Sequence, residues 1–366
     1  MSKAGQNGAQ SNRGASSKKK KRKTKILILV VEILVLLILA VAAFFLLKLN
    51  RIEKDTTFEP EKIEVNEGIS ETSKKIMEGY TTIALFGLDN RSNGNLSKGN
   101  SDVIMIASIN NDTHDVKLVS VYRDSYLDTG DNTFRKCNYA YAKGGPEQAI
   151  NMLNKNLDLD ITDYVTVDFN AIAECVDLLG GVEVTVTDEE AVLMYGYMDE
   201  INKMLKKKSE YLPGAGTYNM DGVQATAFAR IRATAGNDYK RTERQRTVLT
   251  AMINKAQKSD LMTMNSLIDQ VFSDIKTSFS NSELIALATK IFDYKLGETT
   301  GFPFEKNTKI LGSKGDVVVP CSLESNVTEL HVFLYADEDY APTDAVKKNS
   351  TQIISDTGFR QGDGYR

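Results

Sequence analysis

The alternation of apolar and polar positions is clearest between Tyr80 and Asp124, where three apolar runs are punctuated by charged turns. Thr81–Leu88, Val103–Ile109 and Val116–Tyr122 have strand length and strand composition, and are predicted as β-strands. The first ends in Gly87-Leu88-Asp89-Asn90-Arg91, the second is introduced by Gly99-Asn100-Ser101-Asp102, and the third ends in Ser120-Val121-Tyr122-Arg123-Asp124. If consecutive strands run antiparallel, the exit of the first and the entrance of the second share one end of the sheet. Asp89 and Asp102 are then neighbours.

Downstream the pattern alternates between the two periods. A helix is predicted from Gly144-Gly145-Pro146-Glu147 to about Asn156, with Pro in the first turn and acid at the N-terminus. A strand over Tyr164–Phe169 follows, then a helix over Ala171–Leu179 that Gly180-Gly181 stops, and a strand over Val182–Val186. Helical spacing returns over Glu189–Lys207. Tyr211–Tyr218 reads as a turn region, and Asp221 as the cap of a helix over Gly222–Phe228. Helices over Arg241–Ala256, Met264–Lys276 and Asn281–Phe292, a short strand at Val317–Pro320, and helices over Val327–Tyr335 and Asp344–Asp356 complete the prediction. Strands alternating with helices in this way indicate an α/β sandwich.

The N-terminal region is different in kind. Residues 1–25 carry nine Lys or Arg and no acid, with no apolar pattern over the first 17. Ile26–Leu47 is then apolar throughout except for Glu32, long enough at ~33 Å to cross a bilayer core of about 30 Å. The preceding basic block keeps the N-terminus cytoplasmic, so the remainder of the chain is expected outside the cell membrane. Ala40-Val41-Ala42 resembles a processing site, but the apolar run continues through Ala43-Phe44-Phe45-Leu46-Leu47, which favours a retained anchor. The expected order is a disordered basic tail (1–25), an anchor (26–47), a charged stalk (48–78), a catalytic domain (79–300) and a C-terminal extension packed on it (301–366).

Charge narrows the function. The chain has 366 residues and a formal net charge of -4, but residues 26–366 carry 36 basic and 49 acidic side chains. A domain that acidic lacks the basic face on which general nucleic-acid binding depends. Cys137, Cys175 and Cys321 have no metal-binding spacing, and one disulfide or three free thiols are both compatible with it. His114 lies in a polar turn and His331 on a predicted surface helix, which leaves almost no material for a Ser-His-Asp or Cys-His engine. Walker, dinucleotide-binding, HExxH and GxSxG motifs are absent.

What remains is charge chemistry. Two carboxylates side by side at Asp89 and Asp102 call for a cation, and oxygen ligands suit magnesium. Arg230 and Arg232 project to one side of an extended segment. Arg241, Arg244 and Gln245 stand at i, i+3 and i+4 on one helix face. Planar guanidinium groups grip phosphate oxygens in pairs. The same arginines also suit a solvated face paired with Glu243, Asp238 or Asp221.

Taken in order, Gly87–Arg91, Ser101-Asp102, Arg123-Asp124, Lys143–Pro146, Leu179–Val184, Ala229–Arg232 and Asp238–Gln245 resemble the LytR-CpsA-Psr family of Gram-positive cell-envelope proteins over about Tyr80 to Leu249. The resemblance implies an α-β-α sandwich with a mixed central sheet, preceded by one transmembrane helix. It implies transfer of a glycopolymer (teichoic acid, capsule or similar) from a polyprenyl-pyrophosphate carrier to peptidoglycan through a phosphodiester. Asp89 and Asp102 would hold Mg2+, and Arg123, Arg230, Arg232 and Gln245 the pyrophosphate oxygens. Arg241 and Arg244 would assist, Asp124 and Asp238 would orient the arginines, and apolar helices would flank the lipid tail. Two positions depart from the family pattern: Asn100 where an Arg is usual, and Tyr122 where a Pro is usual. Arg91 is a candidate replacement for the missing Arg. Hydrolysis of the same pyrophosphate, or binding without turnover, are the competing functions.

Overall fold

The computed structural model describes residues 53–366 apart from 56, 89–95, 98, 233–236 and 272–274. The basic tail, the apolar run, Asp89 and Arg91 lie outside the described residues, as does the side chain of Asp238. Along the chain come β1 (Glu53–Lys54), β2 (Tyr80–Leu88), β3 (Ser101–Asn110), β4 (Asp115–Val121), the hairpin β5 (Tyr126–Asp128) and β6 (Phe134–Lys136), and β7 (Asp163–Asp168). They are followed by the hairpin β8 (Val182–Val186) and β9 (Gly216–Met220), then β10 (Ile275–Thr277), β11 (Lys295–Phe302), and the hairpin β12 (Lys306–Ile310) and β13 (Asp316–Pro320). Among the described residues the main sheet has seven strands in the order β1-β10-β7-β2-β3-β4-β11. It is mixed: β3 is antiparallel to both β2 and β4, whereas β7 runs parallel to β2, and β11 to β4. The C-terminal ends of β2, β4, β7 and β11 therefore gather beside the start of β3, as the sequence pattern anticipates for the first two strands.

Strand alternation sorts side chains into two layers. Ala84, Phe86 and Leu88 of β2 and Ile104 and Ile106 of β3 enter a core with three helices. These are α2 (Tyr139–Leu157), α9 (Leu323–Tyr335) and α10 (Asp344–Thr357), which contribute Ile150, Leu153, Leu330, Leu334 and Ile353. On the opposite side a second core unites α3 (Phe169–Leu178), α4 (Asp188–Leu205), α5 (Gly222–Arg230), α6 (Asn237–Ala256), α7 (Leu261–Val271) and the β8–β9 hairpin. This is the expected α-β-α arrangement. α1 (Glu71–Met77) and α8 (Asn281–Thr289) flank it.

Several segments differ from the sequence prediction for physical reasons. The expected stalk folds onto the domain from residue 53: Ile69 and Met77 are buried, and Lys54 pairs with Thr277. Asp55 accepts from Tyr164 Oη at 2.8 Å and meets the buried Lys276 at 3.1 Å. Lys276 thus belongs to a strand, not to the end of a helix. β11 went unpredicted because it is an edge strand, mostly exposed, with Gly297 and a bulge interrupting its alternation. β9 falls partly in the predicted turn region. The helix expected to begin at Gly144 is preceded by a turn from Tyr139, with a kink at Gly144-Gly145 where Gly145 adopts φ 66°. Residues 301–366 are more than an extension, since α9 and α10 supply one side of the first core. His331 is not on a surface: it is fully buried, stacks on Tyr340 at 3.7 Å and contacts the Leu157 carbonyl through Nε2 at 2.9 Å. Burial pushes its imidazole below the ordinary histidine value. Cys137, Cys175 and Cys321 form no disulfide, and Cys137 Sγ donates to the Tyr122 carbonyl at 3.2 Å.

The approach of α5 to α3 depends on one missing methyl. A Cβ at Gly222 would lie 1.9 Å from the Ala173 carbonyl oxygen, whereas one at Gly196 in α4 meets nothing within 4 Å. Gly222→Ala is expected to cost about 3 kcal/mol by overpacking, and Gly196→Ala to add about 0.5–1 kcal/mol through helix propensity. Urea unfolding of the two variants checks both signs.

Candidate active site: an arginine cluster over an apolar cavity

At the sheet end described above, the buried Asp168 closes β7 and caps α3, and the other buried carboxylate of the described residues there is Asp102, the second residue of β3. Three arginines reach it from three elements. Arg123, just past β4, donates from Nη1 to Oδ1 at 2.6 Å. Arg232 donates from Nη2 to Oδ2 at 2.9 Å. Arg241, in the first turns of α6, donates to the Asp102 carbonyl at 3.2 Å and places Nη1 3.7 Å from Oδ2. The loop holding Arg123 is fixed by its backbone, with Tyr122 bonded to Phe302 and the Arg123 carbonyl accepting from Asn138.

Arg230 ends α5, which Asp221 and Gln224 start with a capping box. Its guanidinium lies 3.4 Å from both Glu200 oxygens and over the rings of Phe169 and Tyr197. Ile231 is extended and fully buried, so Arg230 and Arg232 flank an anchored residue. Gln245 is buried, and its amide nitrogen has no hydrogen-bond partner among the described residues. A buried donor left in that state is costly unless a ligand satisfies it. Asp102, Arg230, Arg232, Arg241 and Gln245 line one cleft of about 130 Å³.

Arg244 takes another part. It is buried, donates to Glu190 Oε1 at 2.8 Å and to the Ile231 carbonyl at 3.3 Å, and does not line the cleft. It braces the segment carrying Arg230 and Arg232. Glu190 is doubly used, because its other oxygen accepts from the Thr187 amide in the capping box of α4. Asn100 is exposed and does not line the cleft, and Asp124 pairs with Lys136 at 3.0 Å and stands 3.9 Å from Arg123 Nε, as expected of a residue that orients that arginine. Sequence reasoning missed Glu200, Tyr197, Phe169 and Glu190. The spacing of Tyr197 and Glu200 on one helix face was the available signal.

Beneath the cleft lies an apolar cavity of about 230 Å³. Leu85 of β2, Val103 and Met105 of β3 and Val167 of β7 form its floor, and Val248, Leu249 and Met252 of α6 its roof. Phe169, Ala229 and Gln245 line cleft and cavity alike. Leu85, Val103 and Val167 on this face are only partly buried, unlike Ala84, Phe86 and Ile104 behind them.

For a metal, the described residues offer Asp102 and, on the Arg230 side of the cleft, Glu200, and among them no group of three or more His, Cys, Asp or Glu forms a cage. A single carboxylate is still compatible with magnesium, which takes one or two with phosphate oxygens and waters. Asp102 also has more lone pairs than its arginines occupy.

The LytR_cpsA_psr family model matches residues 47–311. The chain belongs to the LytR-CpsA-Psr family. Among its relatives is the polyisoprenyl-teichoic acid–peptidoglycan teichoic acid transferase TagU of Enterococcus faecalis. It is 29% identical over 56% of this chain, and the aligned stretch spans 64% of that protein. TagT of Bacillus subtilis, of the same description, is 27% identical over 72% of this chain and 81% of its own length. The fold matches the structure of TagT bound to LI-WTA with TM-score 0.55 and 22% identity, covering 75% of this chain and 98% of that one. A Streptococcus agalactiae structure matches at TM-score 0.57 and 18% identity, covering 81% and 93%.

Burial would raise the Glu190 carboxyl, but the Thr187 amide and the Arg244 guanidinium outweigh it and hold it below its ordinary value of 4.5. Its contribution to stability is therefore complete above about pH 4.5 and is lost as pH falls through the lower folded value. Glu190→Gln is expected to flatten the acid limb of stability below that pH and to lower stability at neutral pH. Urea unfolding across the acid range reads both effects.

Proposed function

We propose that this protein transfers a glycopolymer from a polyprenyl-pyrophosphate carrier to peptidoglycan. The observation that carries this reading is the contiguity of the arginine-lined cleft with the apolar cavity through Phe169, Ala229 and Gln245. That pairing fits an amphiphile with an anionic head and a hydrocarbon tail. The relatives' description as teichoic acid transferases supports the choice of polymer and acceptor class.

In this reading Arg123, Arg230, Arg232 and Arg241 hold the pyrophosphate oxygens, and the Gln245 amide donates to one of them. An acceptor hydroxyl oxygen bonds to the phosphorus bearing the glycopolymer. The bond from that phosphorus to the bridging oxygen breaks, and the lipid monophosphate departs with the electron pair. The hydroxyl proton passes to solvent water. Phosphoryl transfer needs mainly positioning and charge neutralisation, which fixed guanidinium groups supply. Asp102, with Asp89 immediately after β2, would hold magnesium, whose charge would stabilise the departing phosphate. An anchor over Ile26–Leu47 would keep the domain outside the membrane and beside its lipid substrate, raising effective concentration.

Full-length protein, lipid-linked glycopolymer, magnesium and peptidoglycan fragments test the reading directly. Polymer joined to peptidoglycan is expected, and release of polymer phosphate alone would replace transfer with hydrolysis. The two halves of the site also separate. Val248→Trp is expected to weaken a long polyprenyl pyrophosphate by about tenfold or more, since each buried methylene contributes about 0.8 kcal/mol, while inorganic pyrophosphate is bound unchanged. Arg232→Ala is expected to weaken both. Equal losses for both ligands in Val248→Trp would remove the tail from the cavity.

A further inference from the structure

The helix α6 has two working faces. Gln245, Val248, Leu249 and Met252, at i, i+3, i+4 and i+7, wall the apolar cavity. Arg246, Thr247, Thr250 and Asn254 fall on the other side. There the helix walls a second and larger cleft of about 850 Å³, closed by Glu183 and Asn219 of the β8–β9 hairpin and Thr299 of β11. From Glu243 to Lys255 this wall extends ~18 Å along the helix axis, which suits an oligomer better than a small solute.

The lining selects the occupant. Arg246, Lys255 and Lys258 are offset by Glu183 and Glu243, with hydroxyl and amide side chains between them. Two carboxylates among three cations disfavour a dense polyanion, and with Ala251 the one apolar side chain in the lining a hydrocarbon would desolvate charged and polar groups. A chain rich in hydroxyl and amide groups with scattered charge fits. Its Glu243–Arg246 end lies on the same turns of α6 as Arg241 and Gln245 of the arginine cleft, on a different side of the helix. Burial pushes the Arg246 guanidinium below its ordinary value, opposed by Tyr122 and Glu243, and Tyr122 immediately precedes Arg123. One nitrogen of Arg246, Nη1, is buried without a hydrogen-bond partner among the described residues.

We propose that this polar cleft binds the acceptor glycan strand, so that α6 partitions donor lipid on one face from acceptor on the other and brings both to the arginines at its N-terminal end. The choice of peptidoglycan as that strand rests on the transferase reading above. Soluble peptidoglycan glycan strands titrated into the full-length protein test it. Thr247→Trp and Asn254→Trp, both at exposed positions, are each expected to weaken binding by about tenfold or more. Thermal melting shows that each variant is folded. Absence of binding to the wild-type protein, or unchanged affinity in both variants, would overturn the proposal. The readout requires no turnover. Wild-type protein that binds strands through the cleft but transfers nothing would retire the transferase reading and keep the cleft.

Discussion

The site depends on one carboxylate. Guanidinium groups brought to one place repel each other, by about 4 kcal/mol per pair at 4 Å in a partly buried setting. Asp102 lets Arg123, Arg232 and Arg241 converge by standing among them, with contacts of 2.6 and 2.9 Å to the first two. Glu200 does the same for Arg230, and Glu190 for Arg244. Five guanidinium groups against three carboxylates leave a local positive excess in a domain that is acidic overall. Under the proposed function, a pyrophosphate entering the cleft would meet cations already positioned, so little reorganisation would accompany binding.

That arrangement is coupled to packing. The helix α6 carries Arg241, Arg244 and Gln245 in its first half and the cavity roof in its second, and its far side walls the polar cleft. Its register is therefore constrained from several directions at once. α5 delivers Arg230 because Gly222 lets it sit tight on α3, and Arg244 then fastens Ile231 between the two cleft arginines. The partial burial of Leu85, Val103 and Val167 follows from the same geometry, since α6 spans the sheet without filling the space beneath it. An apolar void of that kind loses packing energy unless a ligand occupies it.

The sequence was most legible where periodicity and chemistry coincide. β2, β3 and β4 stand out as apolar runs because both faces meet apolar surroundings, and their antiparallel order placed Asp102 at the correct sheet end. It was least legible where tertiary contact overrides the local pattern. β11 is an exposed edge strand with little alternation, and β1 and β10 are too short to show a period. Arg241, Arg244 and Gln245 share a helix face by spacing, yet Arg244 turns to Glu190, a partner more than fifty residues away that no spacing rule identifies. Arg230 and Arg232 were read as one extended pair. The first in fact closes a helix and the two engage different carboxylates. His331 resembled a surface residue because the layer formed by α9 and α10 was not expected to build a core.

The central claim is that Asp102 organises the arginines for an anionic ligand and does not merely compete with that ligand for them. Titration of polyprenyl pyrophosphate into Asp102→Asn protein, set beside the wild type, tests it most directly. Loss of the organising charge predicts weaker binding and loss of transfer. Tighter binding with transfer retained would contradict the account.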